Sequence, residues 1–228
     1  MNISSREKGG GALSALVQGI DAVAAEDIDG FTDAALGEDL VELDRAINRL
    51  EGERLRRLRR FHRLDGAARR GLSTHHWLCG QTRMTFAASK SRVETARALE
   101  ELPETEAALL KGEIRYEHAA EMARTAEIVG AEVMAGAEKM LLPVAREMNV
   151  VKLRLATRFL RHCIDPDGTL KESNEAFRRR HVHLSQLLDG IWILEGVLDA
   201  EGGAVLATAL DAIAGPRQAG DERSPGQR

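Results

Sequence analysis

The chain has 228 residues, 43% hydrophobic and 30% charged, with a formal net charge of −4. That is enough for one large domain or two small ones, and the balance is that of a soluble globular protein. Aromatics make up 4% of the residues, so the core must come mainly from Leu, Ala, Val and Ile, a set that favours helices. No uninterrupted apolar stretch reaches the roughly 18–20 residues of a membrane span. No secretory signal is visible, and the expectation is a cytoplasmic protein without membrane contact. Cys79 and Cys163 lie far apart and form no CxxC pair, which speaks against a disulfide framework or a cysteine-based zinc site.

The modest net charge hides an uneven distribution. Residues 1–44 oppose ten Asp and Glu with only Arg6 and Lys8, and the next stretch carries eight arginines from Arg45 to Arg63 against Glu51 and Glu53. Such a run can meet a polyanion, or it can be a solvated helix face whose arginines pair with neighbouring acids. The second reading is favoured.

In chain order, residues 1–11 are polar and Gly-rich and are expected to be flexible. Residues 12–25 suit a short helix. From about Glu38 to Leu64, Leu40, Leu43, Ile47 and Leu50 recur at helical steps on one face. The stripe resumes at Leu55, Leu58 and Phe61, and the five-residue step predicts a bend near Gly52. Ser73 caps a helix over 74–79 that Gly80 can stop, and Thr85 caps a longer one over 86–102. Pro103 then breaks the chain. Helices are predicted over 104–111, 116–126, 130–142 (ending at Pro143) and 150–163, the last capped by Asn149. Asp165-Pro166-Asp167-Gly168 reads as a turn, with a short helix possible over 174–178. Val182 and Leu184 then alternate with His181, His183 and Ser185. Leu188-Asp189-Gly190 supplies turn chemistry, and residues 191–198 are rich in β-formers. Asp199 caps a final helix to Ala214, whose Val205, Leu206, Leu210 and Ile213 suit packing on the hairpin. The fold expected is mainly α, a multi-helix domain with a C-terminal β-hairpin packed on helices. A mostly flexible segment (1–37) precedes the domain (38–214), and a linker tail (215–228) follows it.

Chemistry is sparse. A short helix, a turn containing Gly80 and a longer helix form the outline of a helix-turn-helix. In that reading Arg83, at the turn, and Lys90, Arg92 and Arg97 face phosphates or base edges, supplying counterion release and bidentate contacts. His75 and His76 are adjacent, so on a helix they diverge by about 100° and do not share an ion. His181 and His183 share a strand face, but no carboxylate or cysteine at a recognisable spacing completes a site, and a polar strand face is preferred. There is no G-x-S-x-G, phosphate-binding loop or H-E-x-x-H. No cofactor is implied, and the residues make a poor case for catalysis.

Several phrases together resemble the domain of unknown function 222 family. They are Ala96-Arg97-Ala98-Leu99 to Leu102-Pro103, Gly112-Glu113-Ile114 with His118-Ala119, and Asp165-Pro166-Asp167-Gly168. Asp189-Gly190-Ile191-Trp192 and Leu198-Asp199-Ala200-Glu201-Gly202-Gly203-Ala204 follow in order, and the tail from Asp221 is similar to the segment leading into the C-terminal part of such proteins. Arg115 departs from the pattern, in a cap-like position where Ser or Thr is more usual. The family consists mostly of actinobacterial proteins with a His-Asn-His (HNH) endonuclease signature. The resemblance implies a helical N-terminal domain joined to an HNH module that uses a histidine and a divalent ion. None of those catalytic residues can be carried over, because the chain stops at Arg228, before that module. A truncated member, a gene fragment or one piece of a split gene is expected. The leading expectation is a non-catalytic domain that assists DNA binding or positions a separately encoded nuclease module. The competing expectation is a helical interaction or oligomerisation module, with Leu40, Leu43, Ile47 and Leu50 as interface. A decayed remnant of a nuclease gene is a third.

Overall fold

The structure, a computed structural model, describes residues 10–215 and 223–224. Of the expected mostly flexible segment (1–37), residues 1–9 lie outside the described residues, whereas residues 10–37 are described and hold one α-helix and the start of the next. Most of the expected linker tail (215–228) also lies outside the described residues. Ten α-helices and one hairpin follow in order: α1 (Gly10–Ala24), α2 (Asp33–Arg63), α3 (Thr74–Thr82), α4 (Phe86–Ala98), α5 (Pro103–Lys111), α6 (Tyr116–Val129), α7 (Ala131–Glu147), α8 (Val150–Ile164), α9 (Pro166–Arg178), β1 (His181–Gln186), β2 (Trp192–Val197) and α10 (Ala200–Ala214). The mainly helical class with a terminal hairpin holds.

Most helix starts are chemically self-contained. The hydroxyls of Thr32, Ser73 and Thr85 accept the backbone N–H groups of Ala35, His76 and Ala88, at 3.2–3.3 Å. Asn149 Oδ1 accepts that of Lys152 at 3.1 Å. Each satisfies a donor that the first turn leaves without an intrahelical partner. Asp165 does the same for Gly168 at 2.8 Å, with Pro166 in the first turn. The expected Asp165–Gly168 turn is therefore the opening of α9, since proline at the first helical position loses no hydrogen bond.

Prolines and glycines depart from expectation elsewhere too. Pro103 opens α5 instead of only breaking the chain, and α4 ends at Ala98, four residues before Leu102. Pro143 sits inside α7, which continues to Glu147. The buried Leu141, Leu142 and Ala145 hold that stretch against the core. Helix α3 runs through Gly80 to Thr82 and is closed by Arg83 in the left-handed region, at φ 58°. Helix α2 is unbroken at Gly52. The glycine marks a close approach: a Cβ there would lie 3.2 Å from Leu109 Cγ and Leu110 Cδ2 of α5.

The core runs from the second half of α2 to α8. Leu55, Val93, Leu99, Leu102, Leu109 and Met122 are among its fully buried side chains. Helix α6 packs against α4, α7 and α8, and α2 packs against α4 and α5. The predicted stripe on α2 is not part of this core. Its inward face is Asn48, Gly52, Leu55 and Leu58, whereas Leu40 is 68% and Ile47 62% exposed, with Leu43 and Leu50 also exposed.

Strands β1 and β2 pair antiparallel, His181 opposite Val197 and Gln186 opposite Trp192. Asp189 Oδ1 accepts the Ile191 N–H at 3.2 Å, and Gly190 takes φ 84°, which only glycine adopts without cost. Both strands are exposed along their length. Val205, Leu206, Leu210 and Ile213 of α10 are exposed as well, so the expected burial of α10 on the hairpin is not made. An ion pair between Arg180 and the α10 cap Asp199, at 3.8 Å, joins the two elements.

Candidate nucleic-acid interface

The unit expected to read DNA is α3, the Arg83–Thr85 turn and α4. Its two helices are locked together: Ser89 Oγ donates to the His75 carbonyl at 2.8 Å, and the rings of His75 and His76 lie 6.0 and 5.3 Å from that of Phe86. Helix α4 is not a free recognition helix. It packs against α2, α3 and α6, and buries Ser89, Val93, Thr95 and Ala96.

That burial separates the four cationic candidates. Arg83 and Arg97 are exposed and make no ion pair among the described residues. Lys90 is exposed but lies 3.6 Å from Glu94 on the next turn. Arg92 is half-buried, 3.2 Å from Glu51 of α2, with its guanidinium 4.6 Å over the Tyr116 ring. Tyr116 in turn shares a 2.9 Å hydrogen bond with Ser91. Arg92 therefore fastens α4 to α2 and α6, and the structure does not bring the four side chains onto one open face.

Arg97 borders a cleft of about 930 Å³ between α2, α4 and α6. Its lining holds five arginines and six glutamates, so it presents no single-sign field to a polyanion. At its inner wall Glu121, 4% exposed, accepts from Thr157 Oγ1 at 2.8 Å, Arg124 at 2.6 Å and Arg154 at 3.4 Å. A buried carboxylate needs such partners, and the result ties α6 to α8.

Six of the eight arginines in the α2 run are paired with acids, and Arg49 and Arg60 make no ion pair among the described residues. Arg45 pairs with Glu42, Arg54 with Glu51, Arg59 with Glu106 and Arg63 with Glu100. Arg56 and Arg57 both donate to Glu53, and these bonds hold its carboxyl down at about 2. This is the favoured solvated-face reading.

Sequence reasoning missed the buried polar groups. His118, in the first turn of α6, accepts the Arg115 N–H at Nδ1 (3.2 Å) and donates from Nε2 to the Met148 carbonyl (3.0 Å). The Arg115 guanidinium has no acceptor, so it cannot return the bond of a capping box; it reaches instead to Asp44 of α2 at 2.6 Å. Burial lowers the His118 pKa, more than the carbonyl raises it. Glu138 of α7 accepts the Thr105 N–H of α5 at 2.6 Å. His181 and His183 have ring centroids 5.5 Å apart on β1. Among the described residues no three metal-ligating side chains gather, and no helix is long and apolar enough to cross a membrane.

Fold and site together define a multi-helix domain with a salt-bridged surface, an internally braced α3–α4 unit and a terminal hairpin. The chain belongs to the family of the domain of unknown function DUF222, whose model matches residues 38–228. No curated protein and no solved structure matches it.

Proposed function

We propose that this DUF222 chain is a non-catalytic protein–protein interaction module that works by assembly, in the cytoplasm. The observation that carries the reading is the first half of α2, where Leu40, Val41, Leu43 and Ile47 stand exposed on a helix rooted in the core by Leu55 and Leu58. Contiguous uncovered apolar stripes mark interaction surfaces. The HNH association implied by the resemblance fits here as a partner that the module positions. Light scattering after size exclusion tests the reading. Self-association or stable capture of a co-expressed HNH module is expected, whereas a strict monomer that binds no such module refutes it.

A second reading, DNA contact, is favoured by Arg83 and Arg97 alone, the two exposed candidates without an ion pair. Fluorescence anisotropy over a salt series tests it. Binding that weakens steeply with salt and is reduced in Arg83→Ala/Arg97→Ala supports DNA contact, and flat, weak binding removes it. Metal-dependent plasmid nicking by the purified chain would overturn the non-catalytic assignment.

A further inference from the structure

Two uncovered helix faces of this chain have complementary chemistry. The first half of α2 joins its apolar stripe to acids: residues 33–44 contain Asp33, Glu38, Asp39, Glu42 and Asp44 and no Lys or Arg. Helix α8 joins another stripe to bases. Val151, Leu155 and Phe159 follow at four-residue steps and are exposed, Phe159 at 70%. The helix carries Lys152, Arg154, Arg158 and Arg161 and no Asp or Glu. Glu38, Asp39, Lys152 and Arg158 are exposed and make no ion pair among the described residues.

The faces do not cover each other within one chain, and both supports are fixed. Helix α2 is continuous, pinned by the Arg115–Asp44 pair and seated on α5 at Gly52. Helix α8 is anchored by the buried Leu153 and by Thr157 on Glu121. Bringing them together in one chain requires breaking α2 or undocking α8. Two copies meet neither obstacle. Under two-fold symmetry the acidic stripe of each lies on the basic stripe of the other, burying both pairs at once. We infer that this chain forms a homodimer in which the first half of α2 docks on α8 of a second copy. The inference rests on the interaction-module reading and specifies its partner.

Charge reversal tests it with exposed residues that leave the core untouched. One variant carries Glu38→Lys and Asp39→Lys, the other Lys152→Glu and Arg158→Glu. Each alone places like charges across both contacts, and its dimer dissociation constant should rise at least about tenfold. Mixed together, the two variants restore opposite charges at both contacts and should form a heterodimer, scored by light scattering with one chain enlarged by a tag. If neither reversal weakens a wild-type dimer, this interface is wrong and the interaction-module reading stands. If the reversals act but the mixture stays monomeric, the second-copy assignment is overturned. A wild-type chain that is monomeric overturns the dimer, while capture of the HNH module decides the broader reading separately.

Discussion

Replacing His118 tests whether this buried imidazole, and not its sequence neighbours, secures the start of α6. His118→Ala removes an almost fully buried ring with two backbone partners, the Arg115 N–H and the Met148 carbonyl. Each lost hydrogen bond costs about 0.5–1.5 kcal/mol, and the space left by the ring adds a cavity cost. The expected loss is about 2–4 kcal/mol, read as a lower urea midpoint at unchanged slope. The pH response gives an independent sign. Burial sets the folded pKa of His118 below the ordinary 6.5, so protonation favours the unfolded chain. Its contribution is fully present above 6.5 and declines as pH falls through that value towards the lowered one. His75, also lowered by burial, acts in the same direction. Urea curves at about pH 7.5 and 5.5 should therefore show wild type losing stability on acidification, and His118→Gln losing less. A cost of His118→Ala below about 1 kcal/mol, or identical pH slopes in wild type and His118→Gln, would refute the reasoning.

Gly52→Val forces branched carbon into the 3.2 Å gap against Leu109 and Leu110 and should cost about 1–3 kcal/mol in thermal or urea melts. Gly37→Val, on the same helix with open space at its Cβ, serves as the control. Glu121→Ala strips Thr157, Arg124 and Arg154 of a shared acceptor and should destabilise by about 3–5 kcal/mol, measured the same way. Glu53, held at about 2 against an ordinary 4.5, contributes stability that is complete above 4.5 and lost as pH falls through about 2. Glu53→Gln should flatten only that acid limb, and slightly, because the pair is largely solvated.

Helix starts were legible where one side chain closes the first turn, as at Ser73, Thr85, Asn149 and Asp199. The interior face of α2 was not. Periodicity marked Leu40 to Leu50 as a stripe, but it cannot say what covers a stripe, and the inward positions above Leu55 are Asn48 and Gly52. Pro103 and Pro143 do not stop helices as proline chemistry alone predicts. Pro103 costs nothing in a first turn, and the packing around Pro143 carries it within α7. At the candidate interface, Lys90 and Arg92 look equivalent in sequence. Two residues of helical rotation put one at the surface and the other between Glu51 and Tyr116, a distinction that depends on where α2 and α6 lie.

The hydrogen bond that the Thr105 N–H donates to Glu138 sets an order of assembly. Leu102 offers α5 no side-chain cap, so the missing acceptor arrives from a helix 33 residues away in sequence. Helices α3, α4 and α8 carry their own caps and can begin as local, transient turns. Helix α5 gains its start only when α7 is docked. The two should therefore open as one cooperative unit, with native-state hydrogen exchange at Thr105 tracking the amides around Glu138 and not those of its chain neighbour α4.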